Sequence, residues 1–171
     1  VVAFGLGALF SLGIVWVREV LGASDTQFGL LVACFGIGAG VGVLVLRRLP
    51  GHDLRTVTTA LVLQGGVIAT MSLAPTIGFA LLGAVGFGGL TAVVLALAMQ
   101  LLQDQVGDRD RVLAFAVFHM VIRGGLAVAA IGAGVADDLL DEVTWPLVGH
   151  LASSQVVLLS SGLLVVLVGA L

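Results

Sequence analysis

Two ionisable side chains lie deep inside an apolar run: His119 and Arg123, in Phe118-His119-Met120-Val121-Ile122-Arg123-Gly124-Gly125. Arg123 sits almost halfway along the run from Val112 to Ala136. His119 precedes it by four residues, so on a helix both project from one face, about 6 Å apart along the axis. Ionisable groups at such depth are costly in lipid and face a cavity or a partner. A cationic face there attracts an anionic group, carried by a substrate or by another helix. Arg123 keeps its proton at any physiological pH and is an ion-pair partner rather than a proton carrier; histidine is the side chain that titrates near neutrality. Two plainer uses stay open. Arg123 suits a structural salt bridge or a bond to carbonyls of a broken helix, and a single His on an apolar helix is often a packing residue.

Gln64, beside Gly65-Gly66, is the third candidate for substrate contact or gating. A buried glutamine can bond a substrate, or it can pin helix to helix for about 1 kcal/mol. Gln100, near the end of its run, fits the pinning use. Other chemistry is poorly supplied. The single Cys34 lies in an apolar run, and His52 and His150 fall in loops without companion ligands, so neither a disulfide framework nor a metal site is expected. No nucleophile-base pair and no phosphate-loop sequence occurs, so neither an enzyme nor a cofactor is expected. The run Phe35-Gly36-Ile37-Gly38-Ala39-Gly40-Val41-Gly42 looks like a nucleotide loop at a glance. It lacks the phosphate-binding lysine and the required glycine offsets, and it lies within an apolar span.

The elements that must position these residues follow from the solvent. The chain has 171 residues, 60% hydrophobic and 10% charged, against about half and a quarter in soluble domains. So much apolar surface would aggregate in water. About 20 apolar residues cross a bilayer as a helix, and six runs qualify, approximately 1–17, 28–46, 57–74, 77–102, 112–136 and 155–171. Strand-like alternation is absent, which argues against a membrane barrel. The expected fold is therefore an all-α integral membrane bundle of six transmembrane helices. Both ends of the sequence fall within apolar runs, so it is expected to be a truncated piece of a longer protein.

Charge then orients the bundle. All seven basic residues are arginines. The first loop holds Arg18. The second holds Arg47, Arg48 and Arg55, and the third, at Pro75-Thr76, holds none. The fourth holds Arg109 and Arg111, and the fifth, with Asp137, Asp138, Asp141 and Glu142, holds none. Cytoplasmic loops collect basic residues, so loops 47–56 and 103–111 are expected inside and the acidic fifth loop outside. Trp16 and Trp145 are expected as anchors at the outer interface. The net charge of −3 and the lack of a basic stripe exclude a nucleic-acid partner. Close helix packing is expected from small residues four apart: Gly36 with Gly40, Gly38 with Gly42, the cluster Gly83, Gly86, Gly88 and Gly89, and Gly125 stacked with Ala129 and Ala133.

The stretch Arg18 to Leu30, followed by the glycine-rich second helix, resembles the outer loop between helices seven and eight of major facilitator transporters. Val106 to Ala136, with Asp108-Arg109-Asp110-Arg111-Val112 and then Arg123-Gly124-Gly125, resembles their tenth-to-eleventh connection. The look is that of bacterial enterobactin and macrolide-efflux exporters. Arg47-Arg48-Leu49-Pro50-Gly51-His52-Asp53-Leu54-Arg55 departs from the family's basic signature after the eighth helix. The resemblance implies the C-terminal half, helices seven to twelve, of a facilitator-type bundle, with a first helix that starts inside, as the arginine pattern independently requires. It implies proton-coupled efflux of a small organic molecule by alternating access, an N-terminal six-helix half of the same chain as partner, and a bacterial inner-membrane location. Arg123, His119 and Gln64 would be this half's contribution to substrate binding or gating. Two other readings compete: a transporter-like domain fused to a soluble enzyme such as a thymidylate kinase, and a six-helix scaffold or channel subunit that moves no substrate.

Overall fold

A computed structural model describes residues 2–48, 54–107, 110–141 and 151–170. They form six helices: α1 (Val2–Glu19), α2 (Asp25–Leu46), α3 (Leu54–Ser72), α4 (Ile77–Gln105), α5 (Arg111–Asp141) and α6 (Ser153–Ala170). No strand occurs among the described residues. Five helices, α2 to α6, are long and apolar enough to cross a membrane. Helix is the natural form for such runs, because it satisfies every backbone polar group within the segment.

Short polar signals set the helix ends. Ser24 caps α2: its hydroxyl accepts from the Gln27 amide, while the Gln27 side chain accepts from the Ser24 amide at 2.8 Å. This reciprocal pair satisfies two donors that a helix start otherwise leaves open. Just before it, Gly22 takes φ +59°, a left-handed conformation that suits glycine. Arg18 closes the same turn by pairing with Asp25. Thr76, after Pro75, caps α4 through the Phe79 amide. At the far end of α5 the structure differs from the sequence reading. The helix continues through Asp137 and Asp138 to Asp141, so these acids form its last turn rather than a loop.

The pairing of helices carries the architecture. α2 packs on α4, α1 on α5, and α3 on α6; α4 also packs on α3, and α1 on α6. Gly38 and Gly42 meet Val85 and Gly89 in ascending order, so α2 and α4 run parallel. Gly65 meets Gly162 while Gly169 meets Leu61 and Val62, so α3 and α6 run antiparallel. Exchanging α1 with α4, α2 with α5 and α3 with α6 leaves this pattern unchanged. The chain is two three-helix units of opposite direction wrapped around each other.

Each of the three main packed pairs, α2 with α4, α1 with α5 and α3 with α6, closes on small residues. A methyl on Gly38 or Gly42 would overlap the carbonyl oxygens of Val85 and Gly89. On Gly7 it would lie 2.6 Å from the Ala129 Cβ, and on Gly65 2.6 Å from the Gly162 carbonyl oxygen. Backbones this close gain dispersion contact along their whole seam, which is how helices hold together where lipid removes the hydrophobic drive. Gly36 and Gly40, by contrast, have nothing within 4 Å of the same position and lie on the outward face of α2. The main core cluster runs from Ala8 through Leu12 and Trp16 to Ala80, Ala84 and Leu158. Trp16 is fully buried in it, so it is a core residue and not an interfacial anchor. Trp145 lies outside the described residues.

Candidate functional site

α5 is the most lightly packed of the long helices. Its inward stripe, with Leu126, Ala129, Ala133 and Ala136, meets α1 and the core. The opposite stripe, with Met120, Val128, Ile131 and Val135, is open. His119 and Arg123 both stand on the open stripe, as their four-residue spacing requires. The His119 ring meets Phe118 edge-on, with centroids 5.8 Å apart. Among the described residues Arg123 has neither a salt bridge nor a hydrogen-bond partner for its guanidinium.

Its isolation is a matter of chain composition. Among the described residues every carboxylate lies at or near a helix end. Along α5 the nearest are Asp110 and Asp137, thirteen and fourteen residues away, or about 20 Å of helix on either side. Nothing within the described bundle can neutralise the guanidinium at mid-depth. A lipid-facing arginine there would be costly. The open stripe of α5 therefore suits water, an anionic ligand or another polar helix better than acyl chains.

Beside this stripe the bundle is splayed. α4 and α5 hardly pack on each other, and the end of α4 and the start of α5 frame a groove of about 690 Å³. Leu102 and Gln105 line one wall, and Leu113, Val117, Phe118 and Val121 the other. Phe118 joins the groove to the residue beside it, His119.

Gln64 is elsewhere. It is 1% exposed, and its amide nitrogen donates to the Thr91 hydroxyl at 2.8 Å. Thr91 in turn donates to the Phe87 carbonyl at 2.7 Å. The Gln64 carbonyl oxygen has no partner. The bonds tie α3 to α4 within the bundle interior, and the structure does not bring Gln64 to the face that bears His119 and Arg123. Gln155, at the start of α6, makes a similar tie by donating to the Ser72 carbonyl at 3.0 Å. Sequence reading passed over it, although a glutamine following Ser153-Ser154 is itself a helix-start signal. It missed Gly7, Gly65 and Gly162 as seam residues because none has a glycine partner four positions away.

The remaining sites divide by position. Arg47, Arg48 and Arg55 are exposed around the α2–α3 connection, and Arg111 begins α5 at the same end of the bundle. Asp108, Arg109, His52 and His150 lie outside the described residues. No group of three potential metal ligands occurs among the described residues. No family model, curated protein or solved structure matches the chain.

Proposed function

We propose that this chain is one half of a secondary active transporter of the major facilitator kind. It moves a small organic molecule by alternating access, with the open stripe of α5 lining the path. One observation carries the reading: two inverted three-helix units pack around each other and leave an unpaired mid-depth cation, Arg123, on an open helix face. Inverted repeats with polar groups near the midplane are a common construction for moving a solute across a bilayer, because the two units can rock about a fixed site. A static anchor has no use for the cost of an unpaired intramembrane arginine.

In this reading Arg123 attracts a negative group of the substrate or of a gating helix, and His119, one turn away, lines the same face. The missing surface is supplied by an N-terminal six-helix half of the same chain. Proton-coupled export through a bacterial plasma membrane is the direction that the resemblance favours, with the arginine-bearing ends of α2, α3 and α5 inside.

Water access tests the reading without knowledge of the substrate. In the full-length protein with Cys34→Ser, Met120→Cys and Ala127→Cys fall on the Arg123 side of α5, and Leu167→Cys falls on an exposed part of α6. A membrane-impermeant, water-soluble methanethiosulfonate added to open membranes should modify the two α5 cysteines much faster than Leu167→Cys. Equal inertness at all three positions would remove the aqueous path. Arg123→Ala should then abolish drug tolerance conferred by the full-length protein in an efflux-deficient host, at unchanged membrane abundance. Undiminished tolerance would remove Arg123 from the site.

A further inference from the structure

A second groove lies at the arginine-bearing end of the bundle, on the side away from α5. α2 and α3 both pack on α4 but hardly on each other, and the trough between them has a volume of about 430 Å³. Val45 forms one wall, Ala60 and Leu63 the other, and Leu90 and Val93 the floor. Arg55 stands at the mouth. Its guanidinium is exposed and has no partner among the described residues. The Thr59 hydroxyl spends its proton on the Arg55 carbonyl at 2.8 Å, which leaves the guanidinium as the mouth's charged donor. Arg47 and Arg48, exposed at the end of the α2 wall, add two more positive charges beside it.

We infer that this trough is a binding site for an anionic phospholipid, with one acyl chain along the apolar floor and the headgroup phosphate at Arg55. Three features fit that occupant. From Arg55 to Leu63 is eight residues of α3, about 12 Å of helix, against about 15 Å for one leaflet's share of the hydrocarbon core. The trough therefore starts at headgroup level and ends near mid-bilayer. Among the described residues that line it the charge is one-sided: Arg55 is there and no carboxylate is, and Asp104 of α4 lies eleven residues beyond Val93, about 16 Å along the axis. The arginine-bearing end is also the one that the loop charges assign to the cytoplasmic leaflet, where anionic lipids concentrate and basic pockets between helices hold their headgroups. A zwitterionic lipid would meet the same floor, but its own cation would oppose the arginines.

The site does not depend on transport, so it can be tested apart from it. The full-length protein is purified, delipidated in mild detergent and exposed to an equimolar mixture of phosphatidylglycerol and phosphatidylcholine with identical acyl chains. Retained lipid is counted by native mass spectrometry. An arginine at the membrane surface favours an anionic lipid by about fivefold, or about 1 kcal/mol. The wild type should retain phosphatidylglycerol over phosphatidylcholine by at least that factor. Arg55→Gln should reduce the preference by about fivefold, while Arg111→Gln, an arginine of the same end outside the trough, should leave it unchanged. Equal retention of both lipids by the wild type would mean an apolar trough without headgroup selection. Retention of neither would mean that protein fills it. Either result overturns the site, as would a preference that Arg55→Gln leaves intact.

Discussion

Alanine at Gly38 and alanine at Gly40 are the same chemical change two residues apart on one helix, and their effects on stability should have opposite signs. A methyl on Gly38 would lie 2.8 Å from the Val85 Cα and closer still to its carbonyl, against 3.4–4 Å for ordinary contact. The atoms in the way are backbone, so no rotamer change can relieve the overlap, and α2 must move away from α4 by more than half an ångström. A gap of 0.5–1 Å already forfeits about a quarter to a half of the dispersion at each contact it opens. Overpacking of this kind costs about 1–3 kcal/mol, and the better helix propensity of alanine returns at most about 1 kcal/mol. The net expectation for Gly38→Ala is a loss of about 1–2 kcal/mol, with the same sign for Gly42→Ala. At Gly40 nothing stands within 4 Å, so the propensity gain of about 0.5–1 kcal/mol should appear alone. SDS titration of the purified variants in mixed micelles reads both differences. A neutral or stabilising Gly38→Ala would refute the α2–α4 seam. Loss at both positions would show that α2's outward face is itself packed against a helix beyond the described residues.

The other expectations concern polar ties and turns. Thr91→Val should cost about 1–3 kcal/mol in the same unfolding assay, because it strands the buried Gln64 amide; Gln64→Leu, which removes donor and orphaned acceptor together, should cost under about 1 kcal/mol. Gly162→Ala should destabilise the α3–α6 seam, because the added methyl would lie 2.7 Å from the Ala69 amide nitrogen, while Gly66→Ala, which meets nothing within 4 Å, should not. Ser24→Ala should cost about 0.5–2 kcal/mol through its lost cap, and Gly22→Ala about 1–2 kcal/mol through a left-handed backbone. Arg18→Ala, which breaks an exposed pair, should cost less than about 1 kcal/mol.

The six helices were legible because long apolar runs close their own hydrogen bonds as helices, although five of them, and not the expected six, are long and apolar enough to cross a membrane. The shared face of His119 and Arg123 was legible for a similar reason, since four-residue spacing fixes it whatever the neighbours are. The glycines of α2 were only half legible. Gly36 with Gly40 and Gly38 with Gly42 have identical spacing, and only the partner helix decides which pair is buried. Gln64 shows the same limit in a polar residue. Its depth could be read from the run around it, but whether it met a cavity or Thr91 depended on how α3 turned toward α4. Trp16 was misplaced because an indole near the end of an apolar run looks like an anchor until a fully packed pocket forms around it.

The pairing of α1 with α5 fixes a waiting time during biogenesis. About a hundred residues separate the two helices, which at 5–20 residues per second is about 5–20 s of synthesis. For that interval the seam residue Gly7 of α1 is unmatched. α2 and α4 can close on each other well before, and α3, which can settle on α4 at once, gains its α6 partner later still. Assembly therefore cannot follow the order of translation. Factors that shelter orphan helices should matter more to this chain than to one whose neighbouring helices pair as they emerge, and depleting them should leave α1 the first segment exposed to proteases.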